Sequence, residues 1–154
     1  MTATAVPTTL LEVTTQGSLV TGTEVTLTSR QFSYTIDEPP ALGGTDKGAN
    51  PVEHLLAALA SCTVISYQVW ADKLGLTVDT IDVDLRGDLD LAGFLGTDDS
   101  VRPGFQGIEL GIKVSGPESE AEYRRLEQAV AAHCPVLDNL TNGVSVTTNL
   151  EVAA

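Results

Sequence analysis

Residues 50–75, NPVEHLLAALASCTVISYQVWADKLG, decide how the chain folds. Asn50 can cap a helix, Pro51 has the fixed φ of a first helical position, and Glu53 stands where a capping-box acid returns a hydrogen bond. Leu55, Leu56, Leu59, Cys62, Thr63, Ser66, Val69 and Trp70 then recur at roughly helical spacing. Charges are scarce between Glu53 and Asp72. That pattern predicts a long helix buried on most of its sides and closed by Gly75.

Upstream, residues 10–36 contain the Thr- and Val-rich runs LEVTT, SLVTG, EVTLTS and FSYTI, punctuated by Gly17 and Gly22. They predict two or three short antiparallel strands. The following DEPPALGGTDKGAN, residues 37–50, holds too many Pro and Gly residues for a regular element. Downstream, Val78, Ile81, Val83 and Leu85 mark one strand, and Ile108, Leu110, Ile112 and Val114 mark a second. LAGFLGTDDS between them reads as a loop or irregular hairpin. ESEAEYRRLEQAVAAHC is an amphipathic helix with Ala121, Tyr123, Leu126 and Val130 on its apolar face, and its early glutamates suit the helix dipole. Pro135 interrupts it, CPVLDNLTNG forms a short helix ended by Gly143, and VSVTTNLEV is a final strand carrying Val144, Val146 and Thr148 on one face. The order βββ–α–ββ–α–α–β defines an α+β fold, read as a single domain over residues 1–154.

The chain carries 21 acidic and 8 basic residues, a formal net charge of −13. Such a surface repels phosphate backbones and anionic lipid, which argues against nucleic-acid and membrane partners. No run approaches the roughly 20 apolar residues of a membrane span. The opening MTATAVPTTLLEV lacks the basic and apolar regions of a secretory signal, so the expected compartment is the cytoplasm. ALGGTDKG does not match GxxxxGK[ST], so no phosphate-binding loop is expected.

The chain has only two cysteines, Cys62 and Cys134. They form neither a disulfide-rich scaffold nor a CxxC motif. Both could be core thiols, one could be reactive, or the fold could bring them together as a redox couple. Cys134 precedes Pro135 and so falls at a helix N-cap, where backbone N–H groups and the positive helix end favour a thiolate. A thiol peroxidase needs a thiolate, a group that supports it, and a second thiol to resolve the sulfenic acid. Arg30, Arg86 and Arg102 are candidates for the supporting group. Glu53 could fix such an arginine, but helix capping is its more economical role. His54 and His133 could join the cysteines at zinc, yet neither HExxH nor closely spaced cysteine pairs occur, so no metal and no cofactor are expected.

The segments at 37–63, 102–116 and 129–146, with the paired signatures NPxExLLAAxxxC and CPVxxxL, resemble the OsmC/Ohr family of osmotically inducible and organic hydroperoxide resistance proteins. The resemblance is to the broad OsmC-like branch and covers nearly the whole chain. It implies an intertwined homodimer with long central helices and a thiol pair beside the interface. It also implies reduction of small organic hydroperoxides, with Cys62 peroxidatic, Cys134 resolving, and a dithiol as reductant. The family's acid directly follows the proline, a slot that Val52 occupies here, with Glu53 one residue later. The alternative reading is a redox-sensing or small hydrophobic-ligand-binding OsmC-like protein with little turnover.

Overall fold

The computed structural model describes residues 9–153. Two compact units divide at His54–Leu55.

The first unit is built on an antiparallel sheet of β1 (Gln16–Thr21), β2 (Glu24–Ser29) and β3 (Phe32–Ile36), in that order. Arg30, a candidate supporting group, lies outside the strands. It takes a left-handed φ of 57° in the turn between β2 and β3, and its guanidinium lies 5.2 Å from the Phe32 ring centre. After β3 the irregular segment folds around Asp37, which is only 1% exposed. Five donors reach its carboxylate: the Thr23 and Thr45 hydroxyls at 2.6 and 2.7 Å, and the backbone N–H groups of Glu38, Thr45 and Lys47 at 2.9, 2.9 and 3.3 Å. Led by the Thr23 and Thr45 hydroxyls, these bonds hold the carboxyl far below the ordinary carboxylate range. The glycines follow from this folding. A side chain on Gly44 would collide with the Glu38 backbone, and one on Gly48 with the Thr35 carbonyl.

The helix α1 runs Pro51–Leu74, and Gly75 ends it with a φ of 68°. Its start is the expected capping box. Asn50 Oδ1 accepts from Glu53 N–H at 2.9 Å, and Glu53 Oε2 accepts from Asn50 N–H at 2.8 Å. Glu53 therefore serves the cap. The expectation of a helix buried on most sides fails for the single chain. Leu59, Thr63, Ser66, Tyr67 and Ala71 form one buried stripe, whereas Ile65 and Val69 remain 63% and 44% exposed. By length and composition alone α1 could cross a membrane, but a core helix passes the same test.

In the second unit, β4 (Thr80–Leu89) and β5 (Phe105–Ser115) form an antiparallel pair. Its register places Ile81, Val83 and Leu85 opposite Val114, Ile112 and Leu110. Strict alternation puts these apolar side chains on one half-buried face and the charged ones outside. The connection read as a loop contains a short helix, α2 (Leu91–Phe94), whose N-cap Asp90 accepts from Ala92 N–H. The helices α3 (Glu120–His133) and α4 (Pro135–Thr141) follow. Tyr67, Ala71, Leu126, Val130 and Cys134 form the core, with Ile81 and Ile112 packed against it. Leu126 is completely buried, worth about 2 kcal/mol in transfer free energy.

The last predicted strand is absent. Residues 144–153 have no regular structure, and Val144 and Val146 are 66% and 81% exposed. A strand requires a ladder partner for its backbone groups, and among the described residues none pairs with this segment.

Candidate functional site

The thiols lie on separate elements of the second unit. Cys62 stands midway along α1, and Cys134 ends α3 and caps α4. The break is forced by Pro135, which has no N–H to continue α3 but suits the first position of α4. It directs Cys134 into the core at 1% exposure. The fold brings the pair together. Cys134 Sγ donates to Cys62 Sγ across 3.2 Å, and both are free thiols.

Their surroundings differ. Cys62 is only partly buried and opens into a groove of about 390 Å³. The α1 residues Ile65, Ser66, Val69, Trp70 and Lys73 line that groove, with His133 and Pro135 across from them. Burial pushes the Cys62 thiol up. The Val136 backbone N–H opposes this, Cys134 reinforces it, and the Ser66 hydroxyl opposes it weakly, leaving a net upward shift. Cys134 is the N-cap of α4, as expected. Cys134 makes no side-chain capping bond, and the free N–H at the start of α4 serves Cys62 instead. The reason is geometric: the Cys134 side chain turns into the core.

Arg86 and Arg102 are not among the residues that line this groove. Arg86 pairs with Asp88 at 3.2 Å on the exposed face of β4. Arg102 borders a different cavity, beside Leu59 and Phe105. Arg30 belongs to the first unit. The groove's basic side chain is Lys73, whose ammonium lies 4.3 Å from the Trp70 ring centre, and the imidazole of His133 lies 4.2 Å from the same ring. His133 points away from Cys134, as adjacency on a helix requires, but toward the groove that Cys62 opens into. In the sequence Lys73 is not singled out, and His133 only as a possible zinc ligand. Their signal is present, since Ile65, Ser66, Val69, Trp70 and Lys73 follow Cys62 on one helical face.

His54 lies in the first unit, its ring stacked on Tyr34 at 5.7 Å. Among the described residues no group of three or more His, Cys, Asp and Glu side chains could hold a metal ion.

The fold and the paired sulfurs define an α+β protein with a core dithiol. Residues 44–149 match the family described as OsmC-like protein, and the chain belongs to that family. A hydroperoxide reductase of Mycoplasma pneumoniae is 28% identical over 126 residues, covering 79% of this chain and 80% of the relative. The crystal structure of an OsmC-like protein from Mycoplasma pneumoniae superposes with a TM-score of 0.74 at 22% identity, over 90% of this chain and 95% of that one. An organic hydroperoxide resistance protein OsmC from Legionella pneumophila gives 0.68 at 16% identity, over 88% and 93%. These structural likenesses establish the OsmC-like fold.

Proposed function

We propose that this protein is a thiol-dependent peroxidase that reduces organic hydroperoxides. The observation that carries the reading is the 3.2 Å separation of a groove-facing sulfur from a buried one. The relative named hydroperoxide reductase supports the reaction class.

The thiolate of Cys62 attacks the distal peroxide oxygen and the O–O bond breaks. Cys62 becomes a sulfenic acid, and the alkoxide takes up a proton and leaves as the alcohol. The Cys134 thiol then attacks the Cys62 sulfur. Hydroxide leaves with the Cys134 proton as water, and a Cys62–Cys134 disulfide remains. The sulfurs need only close from 3.2 Å to a bonded distance of about 2.05 Å. An external dithiol reduces the disulfide and completes the cycle. Burial assigns the roles, because peroxide meets Cys62 in the groove before it could meet Cys134.

The functional unit in this reading is a cytoplasmic homodimer. Leu19 and Phe32 in the first unit, Ile65 and Val69 in the second, and the alternating Val144 and Val146 leave apolar side chains in water that a second copy would cover.

Intact mass after one equivalent of organic hydroperoxide tests the chemistry. The expected product has lost two hydrogens and yields a Cys62–Cys134 cross-linked peptide on digestion. An unchanged mass with peroxide remaining would refute the reading.

A further inference from the structure

Arg102 stands apart from the thiol chemistry. The second unit has a further cavity of about 370 Å³, walled by Leu59 of α1, Phe105 and Ile108 of β5, and Leu137 and Leu140 of α4, with Arg102 at its edge. That volume lies in the range of small-molecule sites. Arg102 is placed there by its loop. The Gln106 side-chain amide donates to the carbonyls of Arg102 and Gly104, both at 3.2 Å. The guanidinium lies over Gly104, where an added Cβ would stand 3.4 Å from Nη2.

Arg102 is an exposed residue. Arg86, Arg124 and Arg125 each pair with a carboxylate, and Arg30 lies over an aromatic ring. Among the described residues the Arg102 guanidinium has no ion pair, on a chain with 21 acidic residues. A guanidinium fork matches a carboxylate in two parallel hydrogen bonds. Its neighbours offer apolar surface and no competing acid.

We propose that this cavity binds an amphipathic carboxylate of medium chain length, with the acyl chain against Leu59, Phe105 and Leu140 and the carboxylate on Arg102. The site is distinct from the Cys62 groove, since the two share no lining residue. It does not depend on the peroxidase reading, because the ligand carries no peroxide.

Calorimetric titration of the native protein with decanoate and with decyltrimethylammonium, both below micelle formation, tests it. Decanoate is expected to bind at least tenfold tighter than the cation. Arg102→Gln should remove that preference, and Arg102→Lys should keep part of it. Leu140→Trp fills the cavity from its rim and should abolish decanoate binding while circular dichroism stays native. Lys73→Met, in the other groove, should leave decanoate affinity unchanged. No heat with decanoate, equal affinity for the two ions, an undiminished preference in Arg102→Gln, or a loss in Lys73→Met would each overturn the proposal. The absence of heat is also the outcome if a segment of a second copy fills the cavity.

Discussion

Asp37 and Cys62 are two polar groups withdrawn from water, handled in opposite ways. Asp37 is satisfied by five donors, and its charged form is strongly favoured. Cys62 has a thiol neighbour, one backbone N–H and one hydroxyl, and burial still leaves its charged form disfavoured. The saturated carboxylate ties a loop and has no capacity left for chemistry. The under-supported sulfur faces a groove, where a reactant can supply what the protein withholds. Buried polarity marks structure when its hydrogen bonds are complete and marks chemistry when they are deficient and accessible.

The contrast breaks first at the sulfur. Cys62→Ser is expected to lower the rate of organic hydroperoxide consumption by at least about a thousandfold, the scale of losing a nucleophile. Cys134→Ser should still consume one equivalent and stop at a Cys62 sulfenic acid that dimedone labels. A Cys134→Ser variant that consumes no peroxide at all, or continued turnover in Cys62→Ser, would reverse the roles assigned by burial.

The pH profile sharpens the same contrast. Because the Cys62 thiol is pushed upward, its thiolate fraction near neutrality is below that of an ordinary cysteine. The single-turnover rate with excess hydroperoxide should therefore rise about tenfold per pH unit and continue rising past about 8.5, the ordinary thiol value. A plateau below pH 7 would mean that the sulfur is better supported than the groove suggests. Asp37 has the opposite sign. Its depressed carboxyl contributes stability that is present above the ordinary carboxylate range and lost as pH falls through the lowered value. Asp37→Asn keeps the shape but presents amide hydrogens to converging donors. Its melting temperature should fall relative to wild type at pH 7, and the difference should shrink in acid.

Much of this arrangement was legible in the sequence, and the limits are physical. Asn50, Pro51 and Glu53 specify their own helix start because capping is local. The β4–β5 pair is written in strict alternation of Ile, Val and Leu. The two cysteines stand out in the sequence, with their separate roles implied by the family resemblance, but their closeness depends on how Pro135 breaks α3, which periodicity alone does not state. The supporting groups were less accessible. Arginine is the expected helper of a thiolate, which singles out Arg30, Arg86 and Arg102. Lys73 and His133 reach the groove by helical phase and by packing on Trp70. The final strand failed for another reason: Val144 and Val146 alternate correctly, but pattern cannot supply the partner that makes a strand.

The smallest effect bears on Glu53, the acid beside the family's own acid position. Its carboxylate accepts the Asn50 N–H at 2.8 Å, while the reciprocal bond to Asn50 Oδ1 needs only the Glu53 backbone. Glu53→Ala therefore removes one half of the capping box and keeps the other. The expected cost is about 0.5–1 kcal/mol of stability, the lower part of the range for losing a cap, read as a shift in the urea midpoint with an unchanged slope. The rate of Cys62 oxidation should stay within about twofold of wild type, because the Glu53 carboxylate is engaged by the cap. A tenfold loss of rate at unchanged stability would instead place Glu53 among the groups that support the thiolate. It would also shift the line between the two kinds of polar group, since an acid with a complete structural role would then act in the chemistry as well.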